Sequence, residues 1–225
     1  MATVSEPAQA TVDSSDEQRF VLRDVDWATY RKIAEALTGR HVRLTYDRGS
    51  LEFMTISHLH GNYSGLLARL VNVLTEELEL PIRTCRDMTC DRKDLERGLE
   101  PDECFYIENE PHIRARTAID LTVDPPPDLA VEVDLRRSPK SRLDIYAAIG
   151  VPEVWRFDGE TLRIHQRNAE GQYAVVEHSP HFPFVTGADL VRFIQQRTQV
   201  DENRLVRSFR DWVREQLRAK GEGRP

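Results

Sequence analysis

Two segments of the sequence open with Pro-Asp and run straight into apolar residues: GLEPDECFYIEN at 98–109 and PPPDLAVEVD at 125–134. Acidic side chains are seldom fully buried without a compensating partner. On a strand, alternate residues share a face, so Asp128, Ala130, Glu132 and Asp134 point one way and Leu129, Val131 and Val133 the other. With Asp102 on a neighbouring strand, its carboxylate falls within a few ångströms of Glu132. Two such carboxylates raise each other's pKa unless a cation joins them. A hard divalent ion, Mg²⁺ or Mn²⁺, suits carboxylate oxygens and keeps waters for chemistry. It can activate a water and stabilise charge on a phosphate.

The stretch DLRRSPKSR follows at 134–142 and places Arg136, Arg137, Lys140 and Arg142 directly behind the acids. Phosphodiester cleavage needs both parts, acids for the metal and a cation for the phosphate and leaving oxygen. Here Asp102 and Glu132 are the candidate metal ligands, and Lys140 or Arg142 holds the scissile phosphate. The alternative is structural: the acids cap turns, as Pro-Asp commonly does, or pair with those same arginines in a surface ion network. Glu52, His60 and Asp134 are candidate supporting residues. An extended His58-Leu59-His60 places both histidines on one side, but the spacing supplies no third zinc ligand. His60 is read as a residue at the site's edge or a cap, with a general-base role as the alternative. Tyr146, Trp155 and Phe157 fall at core spacing.

These residues need elements to hold them. Trp27, Tyr30, Ile33, Ala34 and Leu37 recur at helical spacing within 24–38, with Asp24 or Asp26 as N-cap and Gly39 as stop. VRLTY and LEFMTI flank Asp47-Arg48-Gly49-Ser50 as a hairpin. A second helix spans 61–79 through Leu66, Leu67, Leu70, Val71, Leu74 and Leu78. Residues 82–90 are read as an edge strand, 91–98 as a charged connector and 104–109 as a strand. A short helix over 140–149 ends at Gly150. A second hairpin turns at Asp158-Gly159-Glu160. A strand QYAVVEH and helices near 187–197 and 201–219 complete the chain. In the last helix Leu205, Phe209, Trp212, Val213 and Leu217 form an apolar face. Its arginines, Arg207 and Arg214 among them, could track a DNA backbone or form ion pairs along the helix. Arg136 and Arg137 are further candidate DNA contacts. The expected fold is mixed α/β, a central sheet flanked by helices with an N-terminal hairpin and C-terminal helices.

The 225 residues, 40% hydrophobic and 31% charged, suit one globular domain. We expect it over 19–219, with its core at 42–166, a disordered tail over 1–18 and a flexible one over 220–225. No apolar run reaches the ~18 residues that span a bilayer, and the N-terminus lacks secretory features. Both favour the cytoplasm. The three cysteines do not pair into a disulfide framework and read as half-buried small hydrophobes. A net charge of −7 weighs mildly against a nucleic-acid binder, although a metal-dependent phosphodiesterase also needs acids.

From Val42 to His165 the sequence resembles the Uma-type restriction endonuclease family, within the PD-(D/E)XK nuclease superfamily. The resemblance rests on GSLEFMTIS with the following His60, on EPD at 100–102, on PPPDLAVEV, and on RLDIYAAIGVPEVWRFDG at 142–159. The C-terminal RSFRDWVRE is similar to one subgroup. The resemblance implies a restriction-endonuclease-like core, a divalent metal, DNA as substrate and Asp102 and Glu132 as metal ligands. It also marks a departure. The superfamily's usual lysine position holds Asp134, and Arg142 stands where typical members carry lysine. Arginine can hold a phosphate but cannot act as a base. A degenerate member that binds DNA or a partner without cutting is therefore the second reading, and an acidic scaffold with no nucleic-acid role the third. Double-strand cutting needs two sites, which points to a homodimer.

Overall fold

The computed structural model describes residues 17–86, 88–136 and 142–222. Its strands form two sheets rather than one. The smaller is antiparallel, in the order β1–β3–β2–β6–β5. It contains β1 (Arg19–Leu22), β2 (Val42–Asp47), β3 (Ser50–Thr55), β5 (Cys90–Arg92) and β6 (Arg97–Leu99). β2 and β3 form the expected hairpin. Its turn residues Arg48 and Gly49 both have positive φ, 44° and 84°, the twist that a two-residue hairpin prefers. Helix α1 (Trp27–Ala36) packs on this sheet through Tyr30 and Ala34, with Asp26 as its N-cap. Gly98 is required on β6, because a Cβ there would lie 2.1 Å from Asp91 Oδ1 and 2.5 Å from the Tyr30 hydroxyl. Those two atoms are hydrogen-bonded to each other at 2.5 Å.

The larger sheet runs β11–β10–β9–β8–β7–β4. Its strands are β4 (Arg83–Thr84), β7 (Glu103–Tyr106), β8 (Leu129–Val133), β9 (Glu153–Phe157), β10 (Leu162–Arg167) and β11 (Tyr173–Val176). Only β8 and β9 pair in parallel, because α4 (Arg142–Ile149) carries the chain back between them. On one face lie α2 (His58–Glu77), α5 (Gly187–Ile194) and α6 (Glu202–Glu222). They enclose Leu129, Val131, Val133, Trp155 and Phe157. Fully burying each such side chain contributes about 1.5–3 kcal/mol. On the other face Ala130 and Val154 pack with Ile145 and Tyr146 of α4 and with Cys90 and Leu99 of the small sheet. The small sheet therefore closes over the second face, which explains how acidic residues of β8 come to be buried. A one-turn helix, α3 (Glu110–Ile113), follows β7.

Several expectations need correction. Residues 82–98 do not form one edge strand and a connector. They contribute β4, β5 and β6, short strands whose charged residues hide the alternation. β1 was not anticipated. Helix α2 begins at His58, capped by Ser57, whose hydroxyl accepts from the His60 N–H at 3.1 Å. His58 and His60 are thus helical, not extended. The tail expected over 1–18 lies outside the described residues except for Glu17 and Gln18, and Glu17 is buried. Of the tail expected over 220–225, residues 220–222 belong to α6 and 223–225 lie outside the described residues. The apolar face of α6, including Leu205, Phe209 and Val213, lies within the domain's own core. All three cysteines are free.

Candidate active site

Antiparallel pairing of β7 with β8 sets Glu103 opposite Val131 and Cys104 opposite Ala130. One step further along this register, Asp102 falls opposite Glu132. Asp102 is held there by its own carboxylate, whose Oδ2 accepts from the Val133 N–H at 2.8 Å. Both acids are buried. The sequence-based juxtaposition of the two is therefore present, at the end of β8 that leads into α4.

Each carboxylate has a different partner. Asp102 Oδ1 lies 2.8 Å from His60 Nε2, with neither atom in an aligned hydrogen bond. The other ring nitrogen of His60, Nδ1, lies 2.5 Å from Glu17 Oε1. Burial alone would lower the pKa of this imidazole. The close contacts and charges of Asp102 and Glu17 outweigh it and raise the value to about 9. The shift favours the imidazolium form of His60 at neutral pH. Burial opposes ionisation of Asp102, but His60, the charge of Arg142 and the Val133 N–H together hold its pKa below the ordinary carboxylate value.

Glu132 points to the other side, toward α4. Its Oε1 accepts from Arg142 Nη2 at 2.8 Å and contacts the Tyr146 hydroxyl. Arg142 also donates from Nη2 to the Glu100 carbonyl at 2.6 Å and from Nη1 to Thr45 Oγ1 at 3.1 Å. One guanidinium thus ties α4 to both sheets. Burial raises the Glu132 pKa and the charge of Asp102 adds to it, against the opposing pull of Arg142. The two facing carboxylates are pushed in opposite directions, a pattern found where paired acids have different tasks.

The space around them also differs. Asp102 and His60 form part of the wall of a cleft of about 690 Å³, lined also by Arg40, His41, Arg43 and Arg86. Arg43 Nε lies 3.9 Å from Asp102 Oδ1. Glu132 borders a void of only about 10 Å³, shared with Arg19, Asp134, Arg142, Tyr146 and Arg156. That is near the minimum for one water. Arg19 closes this side by pairing with Glu52 at 3.1 Å and Asp134 at 2.9 Å. Asp134 also accepts from Arg156 at 2.7 Å. Asp134 and Glu52 are thus bound to arginines.

Other predicted residues fall elsewhere. Asp128 sits at the far end of β8, where Oδ2 accepts from the Ile107 and Asn109 N–H groups at 2.7 and 2.9 Å. Arg136 and Arg207 are exposed. Arg214 pairs with Glu77 at 2.8 Å. Glu77 lies seventeen residues along α2 from His60, a rise of about 25 Å, so Arg214 is not brought to the cleft. Arg137 and Lys140 lie outside the described residues. Sequence reasoning missed Glu17, Arg19 and Arg43, and it assigned Tyr146 to the core alone. Arg43 carried a faint signal, a cation alternating with Val42 and Leu44 on a strand. Glu17 and Arg19 carried none.

Tested against this geometry, a divalent ion fits the pair in chemistry. Asp102 offers a buried oxygen without an aligned hydrogen bond, and Glu132 offers a second carboxylate on the adjacent strand. Among the described residues, the group whose ligand atoms already converge is Glu108, Asp128 and His181, all within 4.8 Å of one another.

Residues 27–203 match the Uma2 family, described as putative restriction endonuclease, and the chain belongs to that family. Its mixed α/β architecture agrees with a restriction-endonuclease-like fold. β1, which contains Arg19, and Glu17 just before it lie ahead of the matched region. No curated protein matches the chain. No helix among the described residues is long and apolar enough to cross a membrane.

Proposed function

We propose that the chain is a divalent-metal-dependent endonuclease that hydrolyses DNA phosphodiester bonds, with Asp102 and Glu132 as ligands for Mg²⁺ or Mn²⁺. The observation that carries this reading is the pairing of two buried acids on adjacent strands, one of which, Asp102, stands in the wall of an arginine-lined cleft. A bound ion of this kind supplies a reactive water and offsets the charge that builds on the phosphate.

The protein's own residues do the rest. Arg40, Arg43 and Arg86 give the cleft a positive rim that attracts a phosphate backbone. Arg142 cannot take up a proton in the reaction. Its role is to fix the Glu132 carboxylate and, by charge, to steady the phosphate. His60 holds a proton at Nε2 beside Asp102 Oδ1, and that proton competes with any metal for the same oxygen. Lys140 remains a candidate phosphate contact. A homodimer able to cut both strands would use a surface other than the apolar face of α6.

One observation favours a second reading, a DNA-binding protein that has lost the chemistry. Glu132 is held by Arg142 and Tyr146 in a nearly filled void, and the usual lysine position is an aspartate bound by two arginines. Nicking of supercoiled plasmid in Mn²⁺, Mg²⁺ or EDTA, with wild type beside Glu132→Gln, separates the two. The endonuclease reading expects cleavage that requires metal and disappears in the variant. Salt-sensitive DNA binding without cleavage in any metal would select the second reading. Equal cleavage by the variant would remove Glu132 from the mechanism.

A further inference from the structure

We propose that Glu108, Asp128 and His181 form a second divalent-metal site, of the zinc class, at the end of β8 remote from the Asp102–Glu132 pair. Asp128 and Glu132 are four residues apart on one extended segment, about 13 Å, so one ion cannot serve both.

The three side chains come from separate stretches: the loop after β7, the entry to β8 and the segment that precedes α5. One ligand atom from each lies within 4.8 Å of the others. Ligands of a tetrahedral zinc ion stand roughly 3–4 Å apart. Glu108 is exposed, so its rotamer can adjust toward the other two ligands.

The support around the two inner ligands is what a metal site requires. His181 Nδ1 lies 2.5 Å from Glu153 Oε2, and its main-chain N–H donates to the same oxygen at 3.3 Å. Glu153 is itself fully buried, and its Oε1 accepts from Trp155 Nε1 at 2.5 Å. A buried carboxylate that takes one imidazole nitrogen orients the ring and leaves the other, Nε2, as the ligand atom. Asp128 is held in turn by its two main-chain donors and by Asn109 Nδ2, which donates to Oδ1 at 2.6 Å. A carboxylate has lone pairs beyond these three bonds. One imidazole and two carboxylates suit Zn²⁺ or Mn²⁺ better than Mg²⁺ or Ca²⁺, which prefer oxygen alone. The ion would join three chain segments beside the sheet and stabilise the native state by binding to it.

Zinc uptake by the full chain, measured by competition against a chromophoric chelator and by thermal unfolding, tests this without reference to cleavage. Wild type is expected to bind Zn²⁺ and to melt at higher temperature in its presence. His181→Ala should lose one equivalent and the thermal shift. Glu108→Gln, an exposed change that leaves the core intact, should weaken that equivalent at least about tenfold. Glu132→Gln should retain it. The proposal is overturned if wild type takes up no zinc at micromolar concentration. It is also overturned if Glu108→Gln and wild type bind alike, or if the ion is lost with Glu132→Gln, which would place it at the other carboxylates.

Discussion

Asp102 and Glu132 are neighbours across one strand ladder, yet one borders an open cleft and the other a nearly filled void. Each is matched by a cation that the protein supplies, and the two cations differ in kind. His60 beside Asp102 can lose its proton, with a pKa near 9. Arg142 beside Glu132 is charged at every relevant pH. Deprotonation or displacement of His60 can therefore free the Asp102 side. The Glu132 side can be released only by moving a guanidinium that also bonds Thr45 and the Glu100 carbonyl. One acid therefore has a partner that can lose its charge, while the other is built into the junction between sheets.

The largest expected effect breaks the built-in side. Glu132→Ala leaves the Arg142 guanidinium buried without its carboxylate, which should cost about 3–5 kcal/mol in urea unfolding and abolish cleavage. Stability within about 1 kcal/mol of wild type would show that solvent reaches Arg142. Arg142→Lys keeps the charge but cannot span all three partners, and a loss of about 1–3 kcal/mol is expected. Unchanged urea midpoints would mean that the contacts to Thr45 and Glu100 contribute little.

The exchangeable side should show itself through pH. His60 has a raised pKa in the folded state, from 6.5 to about 9. Its contribution is fully present below about pH 6.5 and disappears as pH rises through about 9. The full shift corresponds to at most about 3 kcal/mol. Wild type should lose stability relative to His60→Gln across that window, and parallel curves would contradict the assigned charge. The smallest effect concerns the cleft. Arg43→Ala and Arg86→Ala should each weaken DNA binding and reduce the salt slope by about 1, whereas Arg214→Ala should leave both unchanged. Equal losses from all three would move the DNA path onto α6.

Much of this contrast was legible in the residues. Alternation in PPPDLAVEVD and the second Pro-Asp segment were enough to bring Asp102 and Glu132 together, because strand periodicity is local. The hairpin at 42–55 and the long helices were legible for the same reason. The partners were not. His60 meets Glu17 across 43 positions, and Arg19 reaches Asp134 across 115. No local pattern records such pairs, and Glu17 and Arg19 sit at the end of a polar stretch. β5 and β6 are three residues each, too short for alternation to register through Asp91, Arg92 and Arg97. Glu108, Asp128 and His181 converge through loops, where spacing carries no geometric signal. Of the two paired acids, Glu132 is met by Arg142 from the basic run that follows β8, and Asp102 by His60 in the first turn of α2.

On the proposed reading, a protonated His60 competes with the metal for Asp102. Single-turnover plasmid nicking in Mn²⁺ from pH 6 to 9.5, wild type beside His60→Gln, tests it most directly. The predicted result is a wild-type rate that climbs through this range as His60 loses its proton, with the climb reduced in His60→Gln. Matching pH profiles for the two proteins, or no Mn²⁺-dependent nicking at any pH, would contradict it.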